Sequence, residues 1–255
     1  MKQRKSYFRW MTRLLAFLIM CMMGNIAAAE EIHVAVASNF TEAIKKIAEH
    51  YEAATGNTVI LAFGSTGKHY AQIKNGAPFD AFFAADVKRP ELLEQEGIAK
   101  QGSRFTYAIG RLALWSAKPG LVDASGKVLH TGKFRYLAIA NPRLAPYGLA
   151  AKQVLQARGI WKPLQGRIVK GENVSQTYQF ITSGNAALGF IAYAQIKSPG
   201  RAIQGSYWLV PQSLHDSIEQ QAVLLKNNQT ARDFLKFARS DAALAIIHGF
   251  GYNTP

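Results

Sequence analysis

Cysteine is nearly absent from this 255-residue chain. The one example, Cys21, follows Leu18-Ile19-Met20, which are not the small residues expected ahead of a lipid-modified cysteine. Everything after it lacks the means for a disulfide, a thiolate metal site or a cysteine nucleophile. Long hydrophobic runs are missing as well: the longest, Leu14 to Met23, is about ten residues and too short to span roughly 30 Å of hydrocarbon as a helix. Lys2, Arg4, Lys5, Arg9 and Arg13 precede this run and Ala27-Ala28-Ala29 follows it. That is the layout of a secretory signal peptide over residues 1–29, cleaved after Ala29, so the expected mature chain is exported. Acidic residues are scarce, 16 against 30 basic ones, for a formal charge of +14. The leader holds five of the positive residues and no acidic ones, which leaves +9 on the remainder. The Lys and Arg residues are scattered, and no zinc-finger or RNP-like motif accompanies them, so nucleic acid is not the expected partner. A mild field favouring anions is what such a surface supplies.

What is present is an alternation of short apolar runs with helical periodicities, the pattern of a parallel or mixed sheet covered by helices. A strand over 32–37 precedes a helix whose Phe40, Ala43, Ile44, Ile47, Ala48 and Tyr51 share one face. Asn39 is placed to cap that helix, with Glu42 three residues on, and Gly56 to end it. Residues 58–63 read as the next strand, 64–67 as a turn, 68–74 as a helix stopped by Gly76, and 81–85 as a buried strand. Asp86 is placed to cap a helix whose first turn holds Pro90. Strand 136–140 precedes helix 147–157, and strand 168–170 precedes helix 175–182. Further strands are expected at 187–193 and 208–211, and a closing helix at 230–239. No Pro/Gly/Ser-rich linker and no short-period repeat interrupts the chain. An α/β chain of this size often folds as two lobes, with crossings expected near 107–116 and 209–218.

Four strand-to-helix turns carry small or polar residues: Ser38-Asn39, Ser65-Thr66, Pro146-Tyr147-Gly148 and Asn173-Val174-Ser175. Each helix start exposes N–H groups without an intrahelical partner, at the positive end of the helix dipole. Ligands of open α/β sheets bind beyond the carboxyl ends of the strands. Four such turns facing one cleft make a cage of neutral donors, suited to a fully deprotonated oxyanion that offers only acceptors. Taken singly, each turn is an ordinary helix cap.

Other chemistries fail on the residues. Gly64-Ser65-Thr66-Gly67-Lys68 departs from the P-loop twice, with Ala62 at the first glycine and His69 in place of the magnesium-holding Ser or Thr. No G-x-S-x-G elbow appears, and the six histidines form neither H-E-x-x-H nor another metal-binding pair. The expectation is therefore no catalysis, no resident metal and no cofactor.

Several stretches, in order and over nearly all of the mature chain, resemble the periplasmic molybdate-binding proteins of ABC importers. They are residues 36–40 (Val-Ala-Ser-Asn-Phe), 63–68 (Phe-Gly-Ser-Thr-Gly-Lys), 77–86, 107–116, Ala140-Asn141-Pro142 with Pro146-Tyr147-Gly148, Gly171-Glu172-Asn173-Val174 and Ala187-Leu188-Gly189-Phe190. The resemblance implies a periplasmic, monomeric receptor with an α/β, two-lobed type II periplasmic-binding fold. Two crossing strands would hinge lobe 1 (30–108 and 219–255) against lobe 2 (109–218). It implies molybdate or tungstate as ligand, held by hydroxyl, amide and backbone donors, and delivery to a membrane permease. Carried over by position, Ser38, Asn39, Ser65, Thr66, Tyr147 and Val174 are the contacts, the last two through the main chain. Some members also place a ligand-touching tyrosine after the Leu-Gly pair. Here the matching position is Ala192, with Tyr193 one residue on, and a one-residue slip in a strand turns a side chain to the other face. Tyr193 is thus left out, and Tyr147 is the candidate for that hydroxyl, as in a second subgroup. Sulfate, another oxyanion or an organic acid are the alternative ligands, and a periplasmic ligand-sensing module is the alternative role.

Overall fold

The computed structural model describes residues 29–255, so the expected leader and Cys21 lie outside the described residues apart from Ala29. Ten strands form two mixed five-stranded sheets. The first has the order β2-β1-β3-β10-β4, built from β1 (Glu31–Ala37), β2 (Thr58–Gly64), β3 (Ala81–Phe83), β4 (Phe105–Gly110) and β10 (Ile218–Leu224). The second has the order β7-β6-β8-β5-β9, built from β5 (Leu112–Ser116), β6 (Leu137–Ala140), β7 (Ile168–Gly171), β8 (Leu188–Ala192) and β9 (Ser206–Leu209). The two sheets follow one plan. In each, three strands run parallel (β2-β1-β3 and β7-β6-β8) and two antiparallel strands complete the edge. The chain passes from the first sheet to the second at Arg111 and returns through residues 210–217. The two passages lie side by side: Gly110 pairs with Ile218, and Val210 N–H donates to Leu112 O at 2.9 Å.

The helical faces read from periodicity are the faces that are buried. Ala43, Ile44, Ile47, Ala48 and Tyr51 of the Thr41–Thr55 helix pack on one side of the first sheet, together with Phe234 and Ile247 from the C-terminal helices. Ile73 and Leu93 cover its other side against Phe82. A third cluster surrounds the second sheet and takes in Ala37 and Ala85 from the first, so apolar contact is continuous where the two sheets approach. Gly56 ends the first helix in the left-handed region (φ 76°) with its N–H on Glu52 O, as C-cap glycines do. Among the described residues no helix is long and apolar enough to cross a membrane.

Several local expectations change. Asn39 does not cap the Thr41–Thr55 helix; it lies in a 3-10 turn, Ser38–Phe40, and its side chain points elsewhere. Thr66 and Gly67 belong to the Thr66–Lys74 helix rather than to a turn, because Ser65 is the residue that caps it. Asp86 Oδ1 accepts from Arg89 N–H at 3.1 Å from two residues ahead of the Lys88–Gln95 helix. The strand at 187–193 stops at Ala192, and Tyr193 opens a 3-10 turn. Gln229–Phe237 is not the closing helix. Ser240 caps another, Asp241–Gly249, by accepting from Ala243 N–H at 3.3 Å. That break comes without Gly or Pro, the punctuation from which a boundary is usually read.

Candidate functional site

A small cavity lies where four strand ends meet four helix starts, and its wall holds all six residues singled out from the sequence: Ser38, Asn39, Ser65, Thr66, Tyr147 and Val174. Ser38 and Asn39 follow β1, and Ser65 and Thr66 follow β2. Tyr147 is the second residue of the helix after β6, and Val174 the first of the helix after β7. Two of the turns thus come from the first sheet and two from the second.

Each turn leaves donors free for a local reason. Ser65 is extended (φ −76°, ψ 146°) and its Oγ accepts from Lys68 N–H at 3.3 Å, while Thr66 Oγ1 accepts from Ala85 N–H at 3.0 Å. A hydroxyl that accepts keeps its proton to donate, so both can still serve an acceptor in the cavity. Asn173 Oδ1 caps the Val174–Thr182 helix by accepting from Gln176 N–H at 2.9 Å, leaving Val174 N–H at the open first turn. At the third turn Pro146 occupies the first helical position, where its missing N–H costs nothing, and Tyr147 supplies the first main-chain donor. The next residue must be glycine on packing grounds, since a Cβ on Gly148 would collide with the carbonyl of Ala140 at the end of β6.

No charged side chain is in the wall. What the site offers an anion is the positive end of four peptide arrays together with neutral hydroxyls, and what it lacks is any carboxylate to accept a proton. Charges begin at the rim, where Lys68 Nζ meets Glu172 Oε1 at 2.8 Å and Arg89 pairs with Asp86. The enclosed space is slight, about 10 Å³ for the centre of a water-sized sphere, far below the roughly 300–1,000 Å³ of clefts that take drug-sized ligands. A neighbouring open groove measures about 460 Å³ on the same scale and shares Ala85, Ala145 and Pro146 with the cavity. Its wall mixes Arg89 and Arg143 with Asp86, Asp216 and Glu219, so it lacks the uniform donor character of the smaller space. Among the described residues no group of three or more His, Cys, Asp or Glu is placed to hold a metal.

Behind the wall lies a polar cluster that the sequence did not disclose. Gln220, fully buried in β10, accepts from Asn39 Nδ2 at 2.6 Å and from the Tyr107 hydroxyl at 3.1 Å, and donates to the Tyr147 hydroxyl at 3.4 Å. Tyr252 donates its hydroxyl to Asn39 O at 2.7 Å and accepts from Asn39 Nδ2 at 3.2 Å. Burial pushes the Tyr107, Tyr147 and Tyr252 hydroxyls well above the usual phenol range, so all three stay protonated. The amide of Asn39 is therefore engaged inside the protein, and the Tyr147 hydroxyl faces Gln220. Tyr193 is not in the wall; its ring lies 4.9 Å from the Arg111 guanidinium and 5.9 Å from the Tyr207 ring. No single residue signals this cluster, since a glutamine inside a strand pattern ordinarily marks the solvent face.

Residues 32–253 match the family described as bacterial extracellular solute-binding protein. The molybdate-binding protein ModA of Azotobacter vinelandii is 46% identical over 245 residues, covering 95% of this chain and 97% of that protein. ModA of Rhodobacter capsulatus is 46% identical over 231 residues, covering 89% and 90%. The solved structure of the Azotobacter vinelandii periplasmic molybdate-binding protein superposes with a TM-score of 0.86, over 88% of this chain and 99% of that one. With the family matched over residues 32–253 and 46% identity to ModA proteins over most of the chain, the chain belongs to the bacterial extracellular solute-binding proteins, together with these ModA relatives.

Proposed function

We propose that this protein is a periplasmic receptor that captures molybdate, and tungstate with it, and delivers the ion to the permease of an ABC importer. The observation that carries the reading is the convergence of four helix starts, two from each sheet, on a cavity walled by neutral donors without a carboxylate. A fully deprotonated tetrahedral dianion presents only acceptors and matches such a wall. Phosphate keeps a proton near neutral pH and would need an acceptor that the wall does not contain. Sulfate has the same charge and hydrogen-bonding character as molybdate, so it is discriminated by size alone, and tungstate, nearly the size of molybdate, is not discriminated. The names of the 46% identical relatives point the same way.

In this reading Ser38, Ser65 and Thr66 donate through their hydroxyls, while Tyr147 and Val174 donate through the main chain. Asn39 contributes its main-chain N–H, its amide being held by Gln220 and Tyr252. Lobe 1 (30–108 and 219–255) and lobe 2 (109–218) close on the ion about the passages at Arg111 and 210–217. The protein acts as a monomer without cofactor or catalysis, and is exported with its leader removed after Ala29. Isothermal titration of the chain from Glu30 onward with molybdate, tungstate, sulfate and phosphate tests this. Tight binding of the first two and none of the last two is expected. Binding of sulfate or phosphate in preference would assign a different oxyanion, and silence from all four would remove the oxyanion reading.

A further inference from the structure

Gly67 is the second residue of the Thr66–Lys74 helix, and its φ lies outside the left-handed region, so its backbone conformation is open to any residue. Within its own helix glycine is a poorer choice than alanine, because it loses more conformational freedom on folding. What a side chain at this position would meet is the Leu144 backbone, between β6 and the Pro146–Ala157 helix, and the end of the Arg89 side chain. An added Cβ would lie 3.0 Å from Leu144 O, 3.1 Å from Leu144 Cα and 3.2 Å from a terminal nitrogen of Arg89. The Arg89 side chain can swing aside; the Leu144 backbone cannot. It is held by N–H bonds from Leu144 and Ala145 to Asn141 O, at 3.0 and 2.9 Å, and it receives the Gly67 N–H at 2.8 Å.

We propose that Gly67 is a positioning residue, whose bare backbone contact with Leu144 sets the distance between the Ser65-Thr66 donors and the Tyr147 donor and so governs how tightly the oxyanion is held. The proposal rests on the oxyanion-receptor reading of the site. Gly67 adjoins Thr66, and Leu144 stands three residues before Tyr147, so the contact fixes the gap between donors carried by different sheets. A β-carbon must push Leu144 back, taking the Tyr147 N–H with it, or tilt the Thr66–Lys74 helix, taking Thr66 away from Ala85. Either movement lengthens donor distances on one side of the ion. Apart from Leu144, the nearest atom the added methyl group meets is the end of the flexible Arg89 side chain.

The test compares wild type, Gly67→Ala, Gly67→Val and the control Gly166→Ala, where an added Cβ meets nothing within 4 Å and φ is again not left-handed. Molybdate affinity by calorimetry, its dissociation rate by stopped flow and the melting temperature of the ion-free protein are measured on each. Gly67→Ala is expected to weaken binding about tenfold, ~1.4 kcal/mol, mostly through faster dissociation, with a larger loss for valine. Its ion-free melting temperature should be unchanged or raised by about 1–3 °C, and Gly166→Ala should bind as wild type does. Wild-type affinity in both Gly67 variants would overturn the proposal. So would an ion-free Gly67→Ala protein that melts several degrees lower, since Gly67 would then be required by the fold rather than by the gap. Should the wild type take sulfate instead of molybdate, the functional reading fails while the same series, titrated with sulfate, still decides the role of Gly67. A wild type silent to every oxyanion overturns both.

Discussion

Two sets of buried polar groups meet at Asn39 and are organised in opposite ways. Behind the cavity, Gln220, Tyr107, Tyr252 and the amide of Asn39 satisfy one another and reach across to the Tyr147 hydroxyl. In the wall, Ser38, Thr66, Tyr147 and Val174 stand at helix starts, where main-chain N–H groups have no intrahelical partner. Burying an unpaired polar group is costly, so the mutually satisfied cluster is structural, while the wall is the set we propose to serve the ion.

This contrast can be broken at either end. The largest effect is expected from Gln220→Leu, which strips partners from Asn39, Tyr107 and Tyr147 together and should lower stability by about 3 kcal/mol, read from the urea midpoint of the ion-free protein. An unchanged midpoint would show the cluster to be dispensable. Next comes the ion itself: at a hundredfold excess over Kd, molybdate should raise the stability of the wild type by about 2.7 kcal/mol. Identical melting with and without it would count against the wall as the oxyanion site. Ser38→Ala deletes one donor to a charged ligand and should weaken binding by about 2 kcal/mol while leaving ion-free stability within about 0.5 kcal/mol. A variant that loses stability instead would move Ser38 from the wall to the structural set.

His69 sharpens the comparison from a third side. It is 4% exposed, its Nε2 has no hydrogen-bond partner among the described residues, and a Cβ on Gly64 would lie 2.8 Å from that atom. Desolvation by burial lowers its pKa below the ordinary 6.5, against the raising effect of Gln72. The folded protein therefore takes up this proton at lower pH than the unfolded chain does. Its contribution to stability is complete above pH 6.5 and is lost as the pH falls below that value. His69→Leu should flatten this acid slope in urea midpoints measured between pH 7 and 5, leaving the part due to His215, whose pKa burial also lowers. An unaltered slope would clear His69. The smallest effect belongs to the rim. Lys68 and Glu172 are 52% and 45% exposed, so Glu172→Gln should change affinity by at most about 0.5 kcal/mol, and less at high salt.

Much of this was readable residue by residue. The apolar faces, the glycine stops and the four polar helix starts all follow from spacing and from the chemistry of caps, and each falls in the structure within a residue or two of its place in the chain. The larger differences come from contacts far apart in the chain. Asn39 looked like a cap because its neighbours permit one; a partner 181 residues away claims its amide instead. Residues 107–116 are expected only as a crossing, and pairing with distant strands makes β5 and most of β4 of them.

Interactions between near neighbours in the chain settle where each helix starts, which face it buries and which donors it exposes, because capping and periodicity act within a turn or two. Which of those donors remain free, how wide the gap between Thr66 and Tyr147 is, and why Gly67 has no side chain are settled by contacts between segments far apart in the chain. No local rule encodes a distance between two walls that meet only after both sheets have formed.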